Sequence, residues 1–320
     1  MSATVAVAVV SWNTRDLLAG CLRSLAPDAH SGRAEVWVVD NGSRDGSAEL
    51  VRDEFGWVKL VEPRENIGFG RAVNLVAERS SAPWVAAANA DVALLPGALD
   101  ALLGAAESDP RAGMLAPRLI LPDGSTQHSV FSFPGVALSL VFGSGAWRLH
   151  AGLADRLCIE GAWDPERERT VPWAIGAFLL IRRDVFESVG GFDDRQWMYA
   201  EDLDLAWRVA GHGWTTHYVP RAQVRHAASA ATILAFGDAR RRRHMAASYA
   251  WMLRRRGRGV TAAFAVANLV PSAVRALWLA PVAALRPARR RDLADSADWA
   301  AIHLGGLMAP GAGDQDERAA

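Results

Sequence analysis

The sequence predicts an α/β fold: a mostly parallel sheet with helices on both faces, followed by a helical C-terminal segment. Short apolar runs at 5–10, 36–39 and 84–88 lack the polar alternation of a half-exposed strand and read as buried strands, with a further strand at 58–61. Between them lie stretches with helical spacing of apolar residues, and this alternation is the pattern of a parallel sheet crossed over by helices. The 320 residues are 51% hydrophobic and 22% charged. That composition supports one large core, or one core with a smaller helical appendage, and excludes disorder over the whole length.

The first strand, 5–10, runs into Ser11-Trp12-Asn13. A helix follows over 15–25, with Leu17, Leu18, Cys21, Leu22 and Leu25 on one face. The second strand, 36–39, ends at Asp40-Asn41-Gly42-Ser43, and a helix over 46–55 leads to the third strand at 58–61. Helix returns at 69–79 and strand at 84–88, which ends at Asn89-Ala90-Asp91. Residues 113–170 are rich in Gly, Pro and Ser with weak periodicity, and read as connecting segments able to shape a pocket. A strand over 174–181, a short helix over 184–189, a helix over 201–210 and a strand over 215–219 complete this region.

Ligands of such sheets bind outside the carboxyl ends of the strands, so the residues after each strand carry the chemistry. Three of these ends bear carboxylates or amides, although turn residues are common there on structural grounds alone. Asp91 offers a hard oxygen ligand suited to Mg²⁺ or Mn²⁺, able to neutralise a diphosphate leaving group. His226, soon after the last strand, adds an imidazole that suits Mn²⁺, and equally fits a hydrogen-bonded histidine with no ligand role. Asp202 is the candidate general base. An ordinary Asp, with a pKa of about 3.9, is a feeble base at neutral pH; burial and the like charges of Glu201 and Asp204 would raise that value. Glu201 and Asp202 also fit acids placed at a helix N-terminus by the macrodipole, and the residues alone leave both readings open.

Five segments, taken in order, resemble the family-2 glycosyltransferases of GT-A fold, and within them the bacterial rhamnosyltransferase-like branch. They are Ser11-Trp12-Asn13 within 9–15, Asp40-Asn41-Gly42-Ser43 within 38–47, Glu65-Asn66-Ile67-Gly68-Phe69-Gly70 within 65–74, Asn89-Ala90-Asp91, and Glu201-Asp202-Leu203-Asp204 within 176–208. The match covers roughly 5–230, and its ordered combination is more specific than any one segment. The resemblance implies a Rossmann-like GT-A sheet and an inverting transfer. It implies a nucleotide-sugar site lined by Ser11, Trp12, Asn13, Asp40, Asn41, Gly42, Asn66, Gly68 and Asn89, with Asp40 on a pyrimidine base. Asn89-Ala90-Asp91 stands at the family's Asp-Xaa-Asp metal signature, with Asn89 departing from it, so that Asp91 and His226 are the implied ligands of Mn²⁺ or Mg²⁺. Asp202 falls on the catalytic base and Glu201 on its acidic neighbour. Trp173 and Trp197 are placed either to stack on a sugar ring or to pack in the core. The branch implies a dTDP-L-rhamnose donor, with UDP-linked sugars as the alternative, and a lipid-linked or glycan acceptor in cell-envelope polysaccharide synthesis.

The net charge is zero, yet arginines cluster at 240–243, 254–258 and 289–291, which suggests an anionic partner. The stretch 260–285 is apolar but interrupted by Asn268, Pro271, Arg275 and Pro281. A central Arg costs a spanning helix about 2.5–3.5 kcal/mol, so a segment in the interface of an anionic leaflet is favoured over a span. The same pattern fits a helix packed on the catalytic domain or in a homodimer. The expected organisation is a catalytic domain over 1–235, a helical extension over 236–310 and a flexible tail over 311–320. Only Cys21 and Cys158 are present and no secretory signal opens the chain, so the expectation is a cytoplasmic protein, peripheral on the inner face of the cell membrane, with no disulfide framework. No nucleic-acid partner is expected. A dinucleotide-binding enzyme would place a Gly-rich turn after the first strand, where Ser11-Trp12-Asn13 stands instead. A non-catalytic, membrane-associated scaffold is the remaining alternative, and the joint presence of Asp40, Asp91, Asp202 and His226 weighs against it.

Overall fold

The computed structural model describes residues 3–63, 65–227 and 240–308. By internal contacts the chain divides into two units, Met1–Phe133 with Cys158–Gly237 and Pro134–Leu157 with Asp238–Ala320. The elements in chain order are β1 (Val5–Ser11), α1 (Arg15–His30), β2 (Ala34–Asp40), α2 (Ser47–Glu54), β3 (Lys59–Val61), α3 (Phe69–Arg79), β4 (Trp84–Asn89), β5 (Val92–Leu94), α4 (Ala98–Ser108), β6 (Ala112–Ile120), β7 (Val130–Phe131), α5 (Val136–Ser144), α6 (Ala151–Arg156), β8 (Arg169–Val171), β9 (Trp173–Ala174), β10 (Phe178–Arg182), α7 (Arg183–Ser188), α8 (Glu201–Gly211), β11 (Thr215–His226), α9 (Arg240–Leu285) and α10 (Arg290–Met308).

The first unit is built on a nine-stranded sheet of order β3-β2-β1-β4-β10-β6-β11-β5, with β8 also on β11. β3, β2, β1 and β4 pair in parallel. β10 enters antiparallel between β4 and β6, while β11 runs parallel to β6 and antiparallel to β5. The buried character read from sequence has its cause here: Val5 to Val9 of β1 and Val85 to Ala88 of β4 are wholly inaccessible, because helices cover both faces. Leu18, Cys21, Leu22 and Leu25 of α1 are equally buried against the sheet, each large side chain contributing about 1.5–3 kcal/mol, whereas Leu17 is only half-buried.

Three elements differ from the sequence reading. Residues 113–170 hold most of β6, which lies in the sheet interior although Gly113, Pro117 and Arg118 dilute the β-branched pattern of a buried strand. The expected strand over 174–181 is broken between β9 and β10, because the Gly176 N–H leaves the ladder to donate to Asp202 Oδ2 at 2.8 Å. The last strand runs on past a register shift between Val219 and Gln223 to His226, which pairs opposite Val92.

In the second unit α9 consists of two helical arms joined at Gly257, whose φ of 80° and ψ of 169° are reached readily only without a Cβ. The ring of Phe264 lies 5.7 Å from that of Tyr249, so the second arm doubles back along the first. Arg241 and Arg242 face Asp295 and Asp298, and Tyr249 Oη meets His303 Nδ1 at 2.8 Å, so α10 runs alongside the first arm in the same direction. Residues 134–157, expected within the catalytic domain, belong to this unit. They are held there by Asn268 Nδ2 donating to Ser139 Oγ at 2.8 Å and Arg256 Nη1 donating to the Pro134 carbonyl at 3.1 Å. The expected boundary between 235 and 236 and the tail over 311–320 lie outside the described residues.

Candidate active site

The carboxyl ends of β1 and β2 are stitched to each other. Asn41 N–H donates to the Ser11 carbonyl at 2.8 Å, Asn13 N–H to Ser43 Oγ at 2.9 Å, and Arg44 N–H to Asn13 Oδ1 at 2.8 Å. Asn13 adopts a φ of 52°, which an Asn tolerates better than most residues. Asp40 is buried; its Oδ1 accepts the Ser43 N–H at 2.7 Å, while Oδ2 has no hydrogen-bond partner among the described residues. A buried carboxylate oxygen left in that state costs about 1–3 kcal/mol or more until a donor reaches it. Trp12 is half-buried next to this ledge. A cavity of about 400 Å³ opens beside Asn13, Arg15 and Asp45.

The loop between β3 and α3 closes on the same ledge, with Asn41 Nδ2 donating to the Gly68 carbonyl at 3.4 Å. Asn66 Oδ1 accepts the Gly68 N–H at 3.0 Å, so this side chain is engaged in its own turn. Gly68 has a φ of 85°, and a Cβ there would meet the Trp197 carbonyl oxygen at 2.5 Å. Trp197, half-buried, donates from Nε1 to the Asn66 carbonyl at 3.3 Å and so clamps the loop. Trp173 is buried, stacked on Phe131 at 4.7 Å, with Nε1 donating to the Ser132 carbonyl at 3.1 Å. Its indole is therefore a packing element, and of the two tryptophans named as sugar platforms only Trp197, from the segment before α8, packs against the loop that borders the ledge.

The turn between β4 and β5 carries Asp91, and the end of β11 carries His226. Antiparallel pairing of β5 with β11 brings His226 to Asp91, with Nε2 3.3 Å from Oδ1 and both side chains 4% exposed. Nδ1–H donates to Gln127 Oε1 at 2.7 Å, which turns the other ring nitrogen toward Asp91. Nε2 has no hydrogen-bond partner among the described residues. With Nδ1 protonated, a neutral ring presents an acceptor lone pair to a carboxylate, an arrangement completed by a proton or by a cation shared between them. The amide behind the imidazole is the outer support that metal-binding histidines use. The pair thus fits a divalent cation as one nitrogen and one oxygen ligand, leaving the other positions to phosphate oxygens and water. No group of three or more acidic, His or Cys ligands occurs among the described residues. A cavity of about 260 Å³ lies against Asp91 and His226.

Asp202 is the second residue of α8, whose start at Glu201 is preceded by Tyr199 and Ala200 at φ values of 63° and 59°. Two successive left-handed residues without glycine concentrate strain at this helix start, as at many functional sites. Oδ2 accepts the Gly176 N–H at 2.8 Å and Oδ1 the Leu203 N–H at 2.7 Å. The next residue, Ala177, accepts the Asn89 N–H at 3.0 Å, so the carboxylate is joined through two backbone links to the end of β4. Burial raises its pKa to about 6, against the lowering effect of the two N–H donors. Burial is one of the two causes expected; the charge of Asp204, named as part of the other, is met by a buried ion pair with Arg208 at 2.7 Å. Glu201 stands half-buried beside Asp202.

Sequence reasoning missed Gln127, which lies in the stretch of weak periodicity and carries no motif. It also missed Asn74, whose amide exchanges two 2.9 Å hydrogen bonds with the backbone of Phe192 and ties α3 to the segment before α8.

The sequence profile of Glycosyl transferase family 2 matches residues 6–190, and that of Glycosyl transferase family group 2 matches residues 161–308. The chain is 40% identical over 209 residues to an N-acetylglucosaminyl-diphospho-decaprenol L-rhamnosyltransferase of Mycobacterium tuberculosis. That match covers 60% of this chain and 66% of the relative's own length. A segment of 59 residues, 18% of this chain and 22% of the relative, is 41% identical to the rhamnosyltransferase WbbL of Escherichia coli K12. Among solved structures, the mannosyltransferase PcManGT of Pyrobaculum calidifontis, in complex with GDP-Man and Mn²⁺, shares the fold with a TM-score of 0.58 at 20% identity, over 99% of this chain and 88% of that one.

Proposed function

We propose, on the premise that this chain belongs to glycosyl transferase family 2, that it transfers a sugar from a pyrimidine nucleoside diphosphate donor to a lipid-linked acceptor with inversion at the anomeric carbon. The observation that carries this reading is the placement of Asp202, a carboxylate with a pKa raised to about 6, linked through Gly176 and Ala177 to the strand end that bears Asp91. A base of that strength is ionised at neutral pH and still basic enough to take a proton as a bond forms.

In the proposed reaction Asp202 accepts the proton of the acceptor hydroxyl, whose oxygen forms the bond to the anomeric carbon. The bond from that carbon to the diphosphate oxygen breaks on the opposite face, and the nucleoside diphosphate leaves with the electron pair. Asp40 offers its unpartnered Oδ2 to the ring N–H of a thymine or uracil, and the backbone of 41–43 and 66–68 shapes the floor around it. Asp91 and His226 hold Mn²⁺ or Mg²⁺, which when bound supplies positive charge to the leaving diphosphate. The identity to a rhamnosyltransferase acting on a decaprenol diphosphate sugar supports L-rhamnose as the sugar transferred and a polyprenyl-diphosphate sugar as acceptor, in cell-envelope glycan synthesis; with a pyrimidine on Asp40 the donor we propose is dTDP-L-rhamnose.

The test is a transfer assay with dTDP-rhamnose and UDP-linked hexoses against N-acetylglucosaminyl-diphospho-prenol, with the anomeric configuration of the product read by NMR. Rhamnose transfer with inversion is the expected result. Transfer only from a UDP-sugar would move the donor assignment, and retention of configuration would remove Asp202 from the role of base.

A further inference from the structure

All thirteen exposed large apolar side chains among the described residues belong to the second unit. Six of them form a stripe on the second arm of α9: Val266, Val270, Val274, Leu277, Trp278 and Leu285, with Leu277 75% and Leu285 85% exposed. Their spacing of three and four residues places them on one face of the helix, over a length of about 30 Å. The other face is occupied by protein, since Thr261, Ala265, Leu279 and Ala283 are buried and Asn268 is bonded to Ser139. A soluble surface rarely leaves so long an apolar strip uncovered.

The charge around the stripe says what covers it. From residue 240 to residue 291 the sequence contains thirteen arginines and no acidic residue. Arg258, Arg275, Arg286, Arg290 and Arg291 are exposed along or beside this arm. An apolar face bordered by arginines, with an indole at its edge, matches the headgroup layer of an anionic bilayer: apolar groups below the phosphates and guanidinium groups among them. The helix is long and apolar enough to cross a membrane. Its protein-covered face, with the hydrogen bond from Asn268 to Ser139, and the exposed Arg275 fit a helix lying in the surface instead.

We infer that the second arm of α9 docks this protein on an anionic lipid surface through the Val266 to Leu285 stripe, without spanning it. Flotation of the full chain with phosphatidylcholine vesicles, with and without phosphatidylglycerol, tests this. At least tenfold more protein should float with the anionic vesicles. A Val270→Glu, Leu277→Glu double variant, changed at exposed positions only, should lose that binding while keeping its circular dichroism. Arg275→Glu with Arg286→Glu, which leaves the apolar stripe intact, should lose the preference for anionic vesicles. Undiminished flotation of the double variant, or wild-type protein that floats with neither vesicle, would overturn the inference. So would a wild-type dimer in sedimentation velocity that the double variant dissolves, since a second copy would then cover the stripe, and so would protein that resists carbonate extraction, which indicates a span. Neither donor nor acceptor is present in these measurements, so their outcome is separate from the transferase reading.

Discussion

Gly176 donates its backbone N–H to Oδ2 of Asp202 at 2.8 Å, and this single bond joins the start of α8 to the centre of the sheet. It removes Gly176 from the strand ladder and fixes the carboxylate one peptide away from Ala177, the partner of Asn89. The bond lowers the pKa of Asp202, yet burial outweighs it and leaves the group titrating at about 6.

The base assignment gives the first expectation. Asp202 must be ionised to accept a proton, so kcat/KM should rise about tenfold per pH unit below about 6 and level off above it. Asp202→Asn should lower kcat by roughly 10²–10⁴-fold and leave donor affinity, measured by calorimetry, nearly unchanged. A variant with near wild-type turnover would end the assignment.

Gln127 acts on His226 from behind the ring. Replacing it with Leu removes the acceptor of the Nδ1–H bond and frees the imidazole to turn from Asp91. Mn²⁺ affinity, titrated calorimetrically in the presence of dTDP, should fall about 10–100-fold, with Asp91→Asn more severe. Equal affinity in wild type and Gln127→Leu would show that the imidazole needs no such support.

Gly68→Ala should disturb the ledge proposed to hold the donor nucleotide. Its φ of 85° with ψ of 165° is adopted readily only by glycine, a cost of about 1–3 kcal/mol for Ala, and the added Cβ would meet the Trp197 carbonyl oxygen at 2.5 Å. Lower thermal stability and weaker donor binding should appear together, and stability unchanged from wild type would contradict the close packing of the two loops.

The second unit carries a pH dependence of its own. Burial lowers the pKa of His303 to about 4, below the ordinary histidine value of about 6.5. The unfolded chain therefore binds a proton that the folded chain refuses between these values. This contribution to stability is complete above pH 6.5 and is lost progressively as the pH falls toward 4. Thermal melts across that range should show the decline in wild type and a flatter profile in His303→Gln.

Periodicity along the chain was sufficient for the parallel half of the fold, because β1, β2 and β4 are buried on both faces and their apolar runs record that burial residue by residue. Strand-end chemistry followed, since Asp40 and Asp91 stand within two residues of strands that local pattern alone locates. β6 was hidden, because Gly113, Pro117 and Arg118 interrupt its apolar run and dilute the strand signal, although Met114, Leu115 and Leu119 are buried in the sheet. The meeting of His226 with Asp91 needed the antiparallel pairing of β5 and β11, and the support from Gln127 needed a loop without a motif to reach the same ring. Burial and like charge were both expected to raise the pKa of Asp202, and burial is the cause the fold supplies, in spite of the Gly176 N–H that lowers it; how far the group is desolvated is a property of what surrounds it in space, while sequence records only what precedes and follows it.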